Sequence, residues 1–107
     1  MFVVIYQFEV KENMKSEFIS AWESLTQLIY EHEGSLGSRL HRKSDNIYIA
    51  YAQWPDKETW KSAGNKLPDF ANKVRTKMKE SCSKIETLYE LEGIKDLLRS
   101  ETNRNKT

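Results

Sequence analysis

A chain of 107 residues fits one domain, large enough to bury a core without disulfides or metal clips. Its 17 basic and 16 acidic residues leave a formal charge of +1, so no global field favours nucleic acid, an anionic membrane or a polyanionic substrate. The single cysteine, Cys82, excludes an intrachain disulfide and a thiolate metal site, which suits a reducing compartment and makes the cytoplasm the expected location.

The apolar start, Phe2 to Tyr6, is far shorter than the roughly 20 residues that span a bilayer, and it lacks the flanks of a secretory peptide. It reads as a strand running to Val10, apolar on both alternations until Gln7, as for a strand covered on two faces. From Asn13 the period changes. Met14, Phe18, Trp22, Leu25, Ile29 and His32 recur every three or four residues, which predicts a long amphipathic helix capped by Asn13 and closed by Gly34. A second strand is predicted from about Ser35 to Lys43 and a third from Ile47 to Trp54, joined at a Ser-Asp-Asn turn. Pro55 and Asp56 then open a short helix carrying Trp60 and running to Ala63. A third helix from about Asp69 sets Phe70, Val74 and Met78 on one stripe, and a last strand runs from about Ile85 to Leu91.

The resulting order, β-α-β-β-α-α-β, is that of a ferredoxin-like α+β fold: a four-stranded antiparallel sheet with helices on one face. Strands one and three stay apolar on the other face as well, which predicts a homodimer whose two sheets pack face to face. Residues 1–93 form the domain in this reading. Residues 94–107 form an extension whose patch of Ile94, Leu97 and Leu98 can dock on the partner subunit, and which is polar and mobile after Arg99.

Several words of the sequence are specific. Leu40-His41-x-x-Ser44-Asp45 and Tyr51-Ala52-Gln53-Trp54, supported by Glu33-Gly34 and by a bulky residue six places after Trp54, resemble the hairpin of antibiotic-biosynthesis-monooxygenase-type domains. The resemblance covers Phe2 to Leu91 and implies a dimeric α/β barrel. Members of that family include oxygenases that oxidise quinol-like or anthrone-like aromatics without metal or flavin, and also haem-degrading enzymes. By the resemblance, Trp54 and His41 match functional positions of the anthrone-oxidising branch. Ala50 stands where that branch has an asparagine, and Trp60 where it has a tyrosine. For the haem-degrading branch, Tyr6 stands at an asparagine position, the helical tryptophan position falls near Ala63, and the third helix offers no histidine to ligate iron.

The residues themselves suggest how such a site can work. An electron-rich phenol or anthrone reacts with dioxygen once deprotonated, so a protein need only bind a flat apolar substrate, stabilise its anion and exclude water. On strand three, Tyr48, Ala50, Ala52 and Trp54 share a face, and the two alanines leave a hollow between aromatic groups. Trp60, Phe70 and Met78 are expected as further walls. Trp54 is the expected donor to a substrate oxygen, Tyr6 or Tyr48 a proton donor or relay, and His41 the base if it faces the hollow. Alternation cannot be carried across the turn at Ser44 to Asn46, so the face of His41 is open at this level.

The expected function is thus a monooxygenase that uses dioxygen and a small aromatic molecule, with no cofactor and no metal. Two alternatives stand beside it: a non-catalytic dimer that binds a small apolar ligand, and a haem-binding or haem-degrading protein. His32 reads as a helix-end residue, Cys82 as a buried structural thiol, and the group Arg39, His41, Arg42 and Lys43 as a solvated strand. No Gly-rich phosphate loop, paired-histidine metal spacing or nucleophile elbow occurs in the sequence.

Overall fold

A computed structural model describes residues 1–98 of the chain. Strand β1 (Phe2–Val10) leads through a 3-10 turn (Glu12–Met14) into helix α1 (Lys15–His32), followed by β2 (Gly37–Arg42), β3 (Ile47–Trp54), α2 (Lys57–Lys61), α3 (Ala71–Glu80) and β4 (Cys82–Glu92). The four strands form one antiparallel sheet in the order β2-β3-β1-β4, the order of a ferredoxin-like fold.

Register assigns each side chain to a face, because residues paired across neighbouring strands project to the same side. Phe2 lies opposite Trp54, Val4 opposite Ala52, Tyr6 opposite Ala50 and Phe8 opposite Tyr48. This set faces the helices. Phe18 of α1, wholly buried, packs its ring 5.0 Å from Phe8 and 5.4 Å from Tyr48. Val3, Ile5, Ile47, Ile49, Tyr51, Tyr89 and Leu91 belong to the opposite face, which no helix among the described residues covers, although Val3 itself is buried.

Local chemistry sets the element ends. Asn13 does not cap α1: it lies inside the 3-10 turn, where the Met14 amide already donates to the Lys11 carbonyl at 3.0 Å, and Met14 takes the capping position without a side-chain bond. Gly34 does close α1. Its φ of +79° suits glycine, and a Cβ there would meet Thr59 Cγ2 at 3.2 Å. The buried Glu33 beside it accepts a hydrogen bond from the Lys66 amide at 2.9 Å, tying the loop after α2 to the end of α1. Asp56 caps α2, accepting from the Thr59 amide at 2.7 Å and from its hydroxyl at 2.8 Å, which holds the carboxyl below its ordinary pKa.

Strand β3 has its expected bounds, whereas β4 is longer than expected. It starts at Cys82 and carries two bulges, at Ser83 and Leu88, where the register against β1 shifts by a residue. Helix α3 begins after Phe70, not before it. Phe70 therefore occupies the capping position, off the Val74–Met78 stripe, and is 58% exposed. Residues 94–98 follow β4 without regular structure, with Ile94, Leu97 and Leu98 exposed; the mobile tail expected after Arg99 lies outside the described residues. Among the described residues, no helix is long and apolar enough to cross a membrane.

Candidate functional site

The hollow arises from two small residues placed opposite two large ones. Ala50 faces Tyr6 across the β1–β3 ladder and Ala52 faces Val4, so the sheet surface dips beneath α1. A cavity of about 210 Å³ fills that dip. Its floor is Tyr6, Phe8, Ala50, Ala52 and Trp54; Trp22, Leu25 and Ile29 of α1 form the roof, and Met78 and Ile85 close one side. Polar groups are few: Thr26, Ser35 and Ser38 at the α1–β2 side, Tyr6 and the Trp54 indole. The Ser38 hydroxyl is committed to the Tyr51 carbonyl at 3.0 Å, and Ser35 Oγ accepts from the Gly37 amide at 2.9 Å.

A second, more open cavity of about 560 Å³ adjoins the first and shares Tyr6, Ile29 and Trp54 with it. Its remaining walls include Trp60, Ala63, Leu67, Lys61, Arg75 and Glu90. The apolar inner chamber and the charged outer one thus meet at three side chains. Glu90 is paired with Lys57 at 3.7 Å, a contact between exposed groups.

Two donors at this junction stand out. The Trp54 indole nitrogen is buried and has no hydrogen-bond partner among the described residues, a state that costs about 1–3 kcal/mol and that an acceptor on a ligand would relieve. The Tyr6 hydroxyl accepts a hydrogen bond from Trp60 Nε1 at 2.8 Å, and among the described residues it donates to none. Burial raises the Tyr6 pKa above the ordinary phenol value; the Trp60 bond opposes the rise and the Glu90 charge adds to it. Tyr6 is therefore a neutral phenol near neutral pH, with its proton available.

The expected site residues divide accordingly. Tyr6, Ala50, Ala52, Trp54 and Met78 line the inner chamber, and Trp60 lines the outer one. Tyr48 is a core residue, packed against Phe18 and 6% exposed. Phe70 lines neither chamber. His41 is not brought to the hollow: it pairs with Ile49, whose side chain lies on the uncovered sheet face, while Ala50 points the other way. Trp22, Leu25 and Ile29 were legible only as a core stripe, because a helix stripe looks alike over a filled core and over a cavity; Thr26, Ser35 and Ser38 carry no signal in sequence. The Cys82 thiol is buried, and desolvation raises its pKa, the condition of an unreactive structural thiol. Neither histidine lines either chamber, so the donor set does not fit a haem iron held by imidazole. Among the described residues, no group of three His, Cys, Asp or Glu side chains converges to hold a metal ion.

The family profile for antibiotic biosynthesis monooxygenase matches residues 1–74. The chain belongs to this family. Solved structures agree on the fold. SnoaB, a cofactor-independent oxygenase from Streptomyces nogalater, is 19% identical and superposes with a TM-score of 0.73, over 92% of this chain and 97% of its own. A candidate antibiotic biosynthesis monooxygenase from Caulobacter crescentus CB15 is 18% identical with a TM-score of 0.70, covering 88% and 90%. Rv0793 from Mycobacterium tuberculosis is 10% identical with a TM-score of 0.71, covering 91% and 98%. No curated protein is matched. At these identities the solved structures show the fold alone.

Proposed function

We propose that the protein is a cofactor-independent monooxygenase that oxidises a small planar aromatic, quinol-like or anthrone-like, with dioxygen. The observation that carries this reading is the inner chamber itself. It is apolar, flat-floored because of Ala50 and Ala52, and bordered by two donors, the unpartnered Trp54 indole and the Tyr6 phenol. SnoaB, which shares the fold, supports the class of chemistry.

The chemistry suits so few groups. A bound anthrone-type substrate presents its carbonyl oxygen to the donors, which stabilise the enolate formed when the acidic ring-flanked methylene gives a proton to a water molecule. Electron transfer from the enolate to dioxygen and recombination form a carbon–oxygen bond. Loss of water then leaves a carbonyl at the former methylene. One oxygen atom stays on the product, the other leaves as water with the two methylene hydrogens. Trp54 and Tyr6 hold charge and protons, and the apolar roof excludes solvent.

The active species in this reading is a homodimer, with the uncovered face of Ile5, Ile49, Tyr51, Tyr89 and Leu91 packed on a second copy. Light scattering should give twice the chain mass at micromolar concentration; a monomer would overturn this part. One observation favours a second reading, a ligand-binding protein without turnover: Ala50 and Trp60 supply no carboxamide or phenol to the chambers.

An oxygen electrode separates the two. Chelator-treated protein with a panel of anthrones and quinols should consume oxygen above the uncatalysed rate, and Trp54→Phe should lower that uptake. Binding of the same compounds without uptake selects the second reading.

A further inference from the structure

We propose that Trp60 is a positioning residue for Tyr6: its indole N–H holds the phenol oxygen from the outer-chamber side, so that the phenol's own hydrogen is directed into the inner chamber. A phenolic hydrogen lies close to the plane of its ring and has two favourable orientations there. The oxygen offers one donor and accepts on its remaining side. The Trp60 N–H, 2.8 Å from the Tyr6 oxygen, donates to it and so takes up an accepting side of that oxygen. Trp60 borders the outer chamber only, whereas Tyr6 borders both. The direction left to the hydroxyl hydrogen is therefore the one away from Trp60.

The indole is itself held in place. Its ring packs 5.7 Å from Phe2, and α2, which carries it, is pinned at its start by the Asp56 cap. Tyr6 lies opposite Ala50 in the ladder, so its hydroxyl is carried past a residue too small to obstruct it. This chain thus assembles from Tyr6 and Trp60, 54 residues apart, a single oriented donor. Orientation of a donor before substrate arrives removes a reorganisation step from the reaction.

The ionisable groups around Tyr6 are Glu90 on β4, and Lys61 and Arg75 across the outer chamber from α2 and α3; α1 and β3 contribute only apolar or uncharged walls. The Trp60 bond favours the phenolate and Glu90 disfavours it. Removing the N–H must therefore raise the Tyr6 pKa further.

The test uses the ligand-free protein first. The Tyr6 titration is isolated by ultraviolet difference absorbance, subtracting the Tyr6→Phe protein, in the wild-type and Trp60→Phe backgrounds. Trp60→Phe keeps an aromatic ring against Phe2 and removes the donor; the midpoint should move upward. The indole N–H resonance of Trp60, one of three such signals, should shift and exchange faster in Tyr6→Phe, a readout that needs no change at Trp60. Turnover supplies the second arm and rests on the oxygenase reading: with 1,8-dihydroxyanthrone as probe, Trp60→Phe should slow oxidation about tenfold. In the double variant, Trp60→Phe should add no further loss to that of Tyr6→Phe. An unchanged titration midpoint together with an unmoved indole resonance would overturn the coupling. Losses that simply multiply in the double variant would overturn the positioning role. Absence of oxidation by the wild-type protein would remove the oxygenase reading while the titration still decides whether Trp60 acts on Tyr6.

Discussion

The two faces of the sheet carry similar residues to different ends. Beneath the helices, the aromatic pairs Phe2–Trp54 and Phe8–Tyr48 flank the adjacent Ala50 and Ala52, and the mismatch in size opens a chamber. On the other face, the same stretch of the two strands carries Ile5, Ile47, Ile49 and Tyr51, with no alanine among them to open a dip. Tyr89 and Leu91 on that face remain 60% and 46% exposed. Apolarity alone does not distinguish a hollow from an even sheet surface. The distribution of side-chain volume within one register does.

Substitutions on opposite faces should therefore part company. Phe18→Ala, under the helices, should cost about 3–5 kcal/mol of stability, since a wholly buried ring leaves a cavity. Tyr89→Ala in the same urea titration should cost far less per chain, and its effect should depend on protein concentration if a second copy covers it. Equal, concentration-independent losses would erase the distinction. A finer cut comes from adjacent residues of β3. Ala50→Leu should fill the inner chamber and weaken binding of 1,8-dihydroxyanthrone by at least about tenfold, read by fluorescence titration. Ile49→Leu, one residue away on the other face, should leave that affinity unchanged.

Much of this was legible in sequence, and the failures have physical causes. Strand β3 was legible to its ends because it is a run of β-branched and aromatic residues bounded by a turn and a proline. Strand β4 was read short: its edge position allows Glu86, Glu90 and Glu92 to face solvent, and its bulges break the alternation that marks a strand. Phe70 was misplaced because one residue decides whether a side chain joins a helical stripe or precedes it. The face of His41 depends on the number of residues in the turn at 43–46, which composition does not fix. The Tyr6–Trp60 bond lies wholly beyond sequence, since it depends on how α2 is set over the sheet.

Two smaller effects sharpen the contrast further. The folded protein holds the Tyr6 proton more tightly than the unfolded chain does. This stabilisation is complete below the ordinary phenol pKa of about 10 and is lost as pH rises through the higher folded value. Urea midpoints should fall over that alkaline range, and Tyr6→Phe should flatten the fall. The smallest effect belongs to the uncovered face: His41→Ala should leave probe oxidation within about twofold of wild type, because its side chain lies across the sheet from the chamber. A larger loss at constant stability would mean that the uncovered face reaches the reacting atoms.

The strand order has a consequence for how the protein is made. β1 is an interior strand, yet its partner on one side is β4, with Phe2 lying opposite Glu92. During synthesis the chain can pair β1 with β3 well before β4 has left the ribosome, and until then a nine-residue strand presents an open edge. The sheet is completed by the last of its four strands to be made, so its assembly ends with the arrival of β4. A chain stopped before Cys82 should accumulate as a species prone to edge-to-edge association.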